Sequence, residues 1–185
     1  FVLSEKIRRI LESDVLKDYQ GVIAISYTRK ASGHLKRKTL QNGICEKNSF
    51  FGTIDSFCLT QIILPFGYYV MVYPKGEVVP ITENDLNSNR KVDFEWINKI
   101  HPDYEEINES VWKNLYELFK DGKVLVSSLE LMALHIIKDC PACRAHLKAR
   151  FKYVFIDEFQ DADTYTNGIF LELIGLGLIG NAVGD

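Results

Sequence analysis

Apolar positions recur along the chain in two periods, and the places where one period gives way to the other outline a fold. Residues 1–16 carry Val2, Leu3, Ile7, Ile10, Leu11, Val15 and Leu16 on one helical face, with Arg8 and Arg9 opposite. Strand-like runs follow at Val22–Tyr27 and at about Ser49–Thr53. Between them, about Ala31 to Gln41 reads as a helix that Asn42-Gly43 ends. Residues 1–64 therefore predict helix, strand, helix, strand, helix, one half of a βαβ-type sheet.

The texture changes from Pro65 to about Arg150. Pro65, Gly67, Pro74, Gly76, Pro80 and the polar stretch from Thr82 to Arg90 predict loops and turns. Amphipathic helical segments then appear at Trp96–Ile100, Val111–Phe119 and Leu129–Lys138. At Tyr153-Val154-Phe155-Ile156 four apolar or aromatic residues stand in a row, as in a strand buried on both faces of a parallel sheet. A helix at Tyr165–Leu173 and a strand at Leu178–Val183 complete the pattern. The expected fold is α/β, a parallel sheet with helices on both faces, plus an inserted helical subdomain. The sheet domain would be discontinuous, residues 1–64 and 151–185, with the insert at 65–150.

Composition narrows the class. At 185 residues and 46% apolar content, one domain with a full core is expected. No run reaches the roughly 18 apolar residues of a membrane span, so no membrane partner is expected. Cys45, Cys58, Cys140 and Cys143 are unevenly spaced, which suits reduced thiols in a cytoplasm. Cys140, Cys143, His135 and His146 contain zinc-ligand types but lie in one short stretch, and Pro141 reads as a break between two helices, so no zinc site is expected. The net charge of −3 would argue against nucleic-acid binding if it were spread evenly. It is not, because Arg29, Lys30, Lys36, Arg37 and Lys38 cluster without an acid among them.

The most informative chemistry follows the strand at 153–156. Asp157 and Glu158 fall where that strand should leave the sheet at its carboxyl end, the edge at which open α/β sheets bind ligands. One carboxylate can hold Mg²⁺ through its water shell while its neighbour polarises an attacking water, the pairing phosphoryl transfer needs.

The run Phe155-Ile156-Asp157-Glu158-Phe159-Gln160-Asp161 resembles the Walker B motif of the UvrD/Rep-like superfamily of ATP-driven DNA helicases. Three further segments resemble that family in the expected order. Residues 22–32 (VIAISYTRKAS) look like motif Ia, 51–59 (FGTIDSFCL) like motif Ib, and 181–185 (NAVGD) like the start of motif III. The resemblance implies a RecA-like motor domain with ATP and Mg²⁺ as cofactors and single-stranded and duplex DNA as partners. It implies Asp157 as the carboxylate of the Mg²⁺ shell, Glu158 as general base, Gln160 as a coupling residue and Asp185 near the nucleotide. Ser26, Tyr27, Thr28, Arg29, Lys30, Thr53, Asp55 and Ser56 would lie on DNA. Arg29 stands where the family usually has Asn, and Asp55 where it has His; a carboxylate there would repel phosphate, cap the next helix or meet a base edge.

The family's phosphate loop, Gly-x-x-x-x-Gly-Lys-Thr, does not occur in the 185 residues. The chain is accordingly expected to be a piece of a longer parent protein and inactive alone, the parent being a DNA-stimulated ATPase that translocates on single strands. The GTIDSF form of motif Ib, the small insert and FIDEFQD also resemble the helicase-like subunit of Gabija-type anti-phage systems. That resemblance implies a DNA or nucleotide sensor working with a nuclease. A non-catalytic DNA-binding relative is the remaining alternative, and intact Asp157 and Glu158 argue against it.

Overall fold

In this computed structural model, residues 2–13, 15–86, 91, 94, 95, 97 and 102–184 are described. The first half contains α1 (Val2–Glu12), β1 (Gly21–Ile25), α2 (Arg29–Thr39), β2 (Phe50–Gly52), α3 (Ile54–Phe57), a π-helical stretch (Cys58–Ile63) and α4 (Leu64–Val70). Then come β3 (Val79–Ile81), α5 (Glu109–Lys120), β4 (Lys123–Leu125), α6 (Leu129–Asp139) and α7 (Pro141–Arg150). The chain returns through β5 (Phe151–Ile156), α8 (Thr164–Gly175) and β6 (Ile179–Ala182). Of the helix expected over Trp96–Ile100, only Ile97 is among the described residues.

The strands β2-β1-β5-β6 form one sheet, every pair parallel. Alternation along β1 supplies both of its faces. Val22 and Ala24 pack with Phe155 against Leu3, Ile7 and Leu11 of α1 and Leu35 of α2. Ile23 and Ile25 turn the other way, with Val154 and Ile156, into a larger core beneath α6 and α8. The α/β architecture with helices on both faces is therefore the one the apolar runs predict. Gly21 is required at the entrance to β1, where a Cβ would run into the backbone of Asn48 and Ser49. Asn42 and Gly43 take left-handed backbone angles (φ 65° and 80°) after α2, as that pair predicts.

Three features of residues 65–150 differ from the sequence expectation. Pro65 does not break the chain. The helix widens through Cys58–Ile63 and runs on into α4, a wider turn that accommodates the missing N–H and the ring of proline. The Pro- and Gly-rich stretch expected to be loop contains β3, which pairs parallel with β4. And α6, expected to be amphipathic, is buried on most of its circumference at Leu129, Leu131, Met132, Ala133, Leu134, Ile136 and Ile137. One continuous apolar cluster runs from Ile23 of the sheet through α6 to Leu115 and Phe119 of α5.

Candidate active site and nucleic-acid interface

Parallel register puts the carboxyl ends of the four strands along one edge. Ile25 pairs with both Gly52 and Ile156, and Ile156 with Ala182. Ser26, Thr53, Asp157 and Val183 therefore leave the sheet side by side. Backbone bonds continue the ladder past the strands: Ser26 N–H to Gly52 C=O at 3.1 Å, and Asp157 N–H to Ile25 C=O and Val183 N–H to Ile156 C=O, both at 2.9 Å. The segments singled out in the sequence, far apart along the chain, meet here. Asp185 lies outside the described residues.

Asp157 is half-buried and Glu158 exposed on the loop that follows β5. Glu158 has φ 57° and ψ 43°, a left-handed conformation that costs a non-glycine residue on the order of 1 kcal/mol. Its neighbour fixes the turn: Phe159 N–H donates to Val183 C=O at 2.8 Å, and the Phe159 ring packs on Phe170 with centroids 5.1 Å apart. Gln160 Nε2 donates to Glu158 Oε2 at 2.5 Å, and Gly184 passes so close to Gln160 that a Cβ there would collide with the amide. Among the described residues no cation pairs with Asp157 or Glu158. Nor do three His, Cys, Asp or Glu side chains converge as a metal cage among them. Two uncompensated carboxylates on an accessible loop suit Mg²⁺, which keeps most of its water shell.

The second part of the edge is a cavity of about 440 Å³. Of the residues singled out for DNA, Tyr27, Thr28, Arg29, Thr53, Asp55 and Ser56 line it. Ser26 is fully buried instead, its hydroxyl without a partner, and Lys30 is exposed beside the cavity rather than in its wall. Thr28 and Thr53 cap the helices that start here, accepting from Ala31 N–H at 3.1 Å and Ser56 N–H at 3.2 Å. Each hydroxyl proton is still free in chemical terms to donate outward. The start of α2 adds unpaired backbone N–H groups and Arg29 to the same opening, a favourable setting for an anion. The Tyr27 hydroxyl is buried without a partner, and burial, with Asp163, Asp161 and Glu130 nearby, pushes its pKa to about 12.

Sequence reasoning passed over the far wall. Leu59, Thr60, Pro80, Val126 and Leu129 complete the cavity. Glu130, which follows Leu129 in α6, is half-buried, and burial, then the charge of Asp55, push its pKa up to about 8. Nothing local distinguishes Glu130 from an ordinary acid in the first turn of a helix.

The cysteine–histidine stretch is arranged for packing. Cys140 Sγ caps α7 by accepting Cys143 N–H at 3.4 Å, with Pro141 in the first turn. His135 lies between the Tyr104 and Tyr116 hydroxyls, both at 2.7 Å, and His146 packs on Phe66 with centroids 5.4 Å apart. Asp163 caps α8, accepting from Thr166 N–H at 2.7 Å. No helix of the described residues is long and apolar enough to cross a membrane.

Comparison with known proteins adds two findings. The model of the UvrD/REP helicase N-terminal domain matches residues 77–185, more than half of the chain. Over 174 residues the chain is 23% identical to the Gabija protein GajB of Bacillus cereus (strain VD045). That alignment covers 93% of this chain and 31% of GajB, so the chain spans about a third of the length of this curated relative.

Proposed function

The chain belongs to the UvrD/REP helicase N-terminal domain family, and from that premise we propose that it works as part of an ATP-dependent motor on single-stranded DNA. In this reading residues 1–64 and 151–185 form the first RecA-like motor domain and 65–150 its accessory insert, acting in the cytoplasm. The observation that carries it is the shared sheet edge: an accessible pair of uncompensated carboxylates lies on the same edge as a cavity lined by helix-capping hydroxyls and Arg29.

Asp157 would hold Mg²⁺ through its water shell, and Glu158 would accept a proton from the attacking water. Bound magnesium supplies charge neutralisation on the phosphates. Gln160 keeps Glu158 oriented through its amide, and because Phe159 is tied to Val183, movement of the β6 end moves the base with it. Asp185, which follows this segment, belongs to the nucleotide side of the same proposal. At the cavity, Thr28, Thr53 and Ser56 donate to backbone phosphate, Arg29 and Lys30 supply charge, and Tyr27 and Ser26 shape the wall behind them.

ATP hydrolysis by the parent protein tests this directly. Turnover should rise when single-stranded DNA is added. Absence of hydrolysis with and without DNA would sink the motor and leave a non-catalytic DNA-binding relative. A second reading, favoured by the likeness to the Gabija protein GajB over nearly all of this chain, is a defence subunit that senses DNA or nucleotide and acts with a nuclease. A stable complex with a nuclease, together with failure to unwind duplex alone, would select it.

A further inference from the structure

The amino ends of the strands carry a second surface, on the edge of the sheet opposite the carboxylates. Tyr19, Asn48 and Arg150 stand just before β1, β2 and β5, and with His146 and Ala149 they line a cavity of about 480 Å³. Strands of this length put that edge about 20 Å from the loop and cavity at the carboxyl ends. From His146 a series of rings runs onto α4. Phe66 lies 5.4 Å from the His146 ring, Tyr69 6.4 Å from Phe66, Tyr68 4.2 Å from Tyr69 and Tyr73 5.6 Å from Tyr68, all between centroids. Most of the series is open to solvent: Tyr68 is 39% exposed, Tyr69 60% and Tyr73 79%, and Tyr19 in the cavity wall is 53% exposed. Clustered aromatic surface left in water calls for a partner.

The charges around this cavity identify the partner's chemistry. Arg150 donates to Asn48 C=O at 3.3 Å and to Gln61 Oε1 at 2.7 Å, Lys152 to Val15 C=O at 2.9 Å, and Lys47 to Leu16 C=O at 3.2 Å. All of these acceptors are neutral. Lys17 lies over the Tyr19 ring, 5.7 Å from its centroid. Among the described residues no carboxylate pairs with any of the four cations, and Asp18 in the same loop engages none of them. Cations left uncompensated inside the protein attract phosphate from outside it. His146 presents a neutral ring at neutral pH, since burial and then the Arg150 charge hold its pKa below the usual histidine value. We propose that this edge is a second binding surface for single-stranded DNA, with Lys17, Lys47, Arg150 and Lys152 holding phosphates and Tyr19, Tyr69 and the neighbouring rings stacking on unpaired bases. Bases within a duplex are stacked on one another, so a row of accessible rings favours a single strand. An acidic protein segment would satisfy the cations but not the stacking faces. The surface shares no residue with the cavity beside α2, so it stands whether or not that cavity holds a strand.

The test is anisotropy of a labelled oligothymidylate titrated with the parent protein, set beside ultraviolet crosslinking of an iodouracil-substituted strand. Tyr19→Ala and Tyr69→Ala should each weaken affinity about tenfold. Tyr69→Phe, which keeps the ring, should stay within about twofold of wild type. Lys152→Gln should reduce the salt dependence of binding by about one charge. Crosslinks should map to Tyr19, Tyr69 or Tyr73. Unchanged urea midpoints for the tyrosine variants separate a lost contact from a lost fold. Wild-type affinity in both alanine variants, with crosslinks confined to Tyr27, overturns the proposal and leaves the cavity beside α2 standing. Affinity that falls in both but survives Arg29→Ala supports this surface and takes the strand away from that cavity. A protein partner lost from Tyr69→Ala while strand affinity holds assigns the rings to protein docking and overturns the proposal. A wild-type parent that binds no single strand overturns both surfaces.

Discussion

The loop after β5 and the cavity beside α2 share one edge of one sheet but are built on opposite principles. The loop is local. Asp157, Glu158 and Gln160 are near neighbours in sequence, held by a left-handed turn and by backbone bonds to the end of β6. The cavity is assembled from four distant segments, the ends of β1 and β2, the strand β3 and the start of α6. A local site can be rigid cheaply, since few degrees of freedom separate its groups. A composite one responds to everything that moves its walls. Under the proposed function, hydrolysis belongs to the first and strand holding to the second.

The separation can be broken most sharply at the loop. Asp157→Asn should lower DNA-stimulated ATP turnover on the order of a hundredfold at fixed magnesium, with higher magnesium restoring part of it; an unaltered magnesium requirement would remove Asp157 from the cation. At the cavity, Arg29→Ala should weaken single-strand affinity about tenfold and reduce the salt dependence of binding by about one charge. Its maximal turnover at saturating DNA should stay near wild type, which a steady-state titration with DNA would read.

Stability gives a smaller contrast. The Glu130 pKa is raised in the folded state from an ordinary value of 4.5 to about 8. The folded chain therefore keeps a proton that the unfolded chain has lost, and stability declines as pH rises from 4.5 to about 8. Glu130→Gln should remove that decline and gain on the order of 1 kcal/mol at mildly alkaline pH, measured by urea unfolding. Smallest is the cap: Thr28→Ala should cost about 1 kcal/mol in the same assay at every pH, because Ala31 N–H loses its acceptor at 3.1 Å.

The same contrast explains what the sequence made legible. The buried run at 153–156 and the carboxylates after it are contiguous, so period and position sufficed to place them. Thr28 and Thr53 cap helices that start at Arg29 and Ile54, where a helix from about Ala31 and a cap at Asp55 were the expectations. The strand ends before them were legible for the same reason. Glu130 was not, because its significance depends on packing α6 against the sheet edge, which no spacing encodes. Pro65 misled in the other direction: proline usually ends a helix, but here a widened turn absorbs it and α4 continues. The short parallel pair β3–β4 was hidden by its prolines and glycines, and its bonding comes from strands distant in sequence rather than from a hairpin.

The most direct measurement is made on Glu158→Gln, recording ATP turnover and single-strand affinity side by side in the parent protein. Turnover should fall at least about a hundredfold while strand affinity stays within about twofold of wild type, a difference well under 1 kcal/mol. Undiminished turnover would contradict Glu158 as the base. A parallel loss of strand affinity would contradict the division of the sheet edge into a hydrolytic loop and a strand-holding cavity.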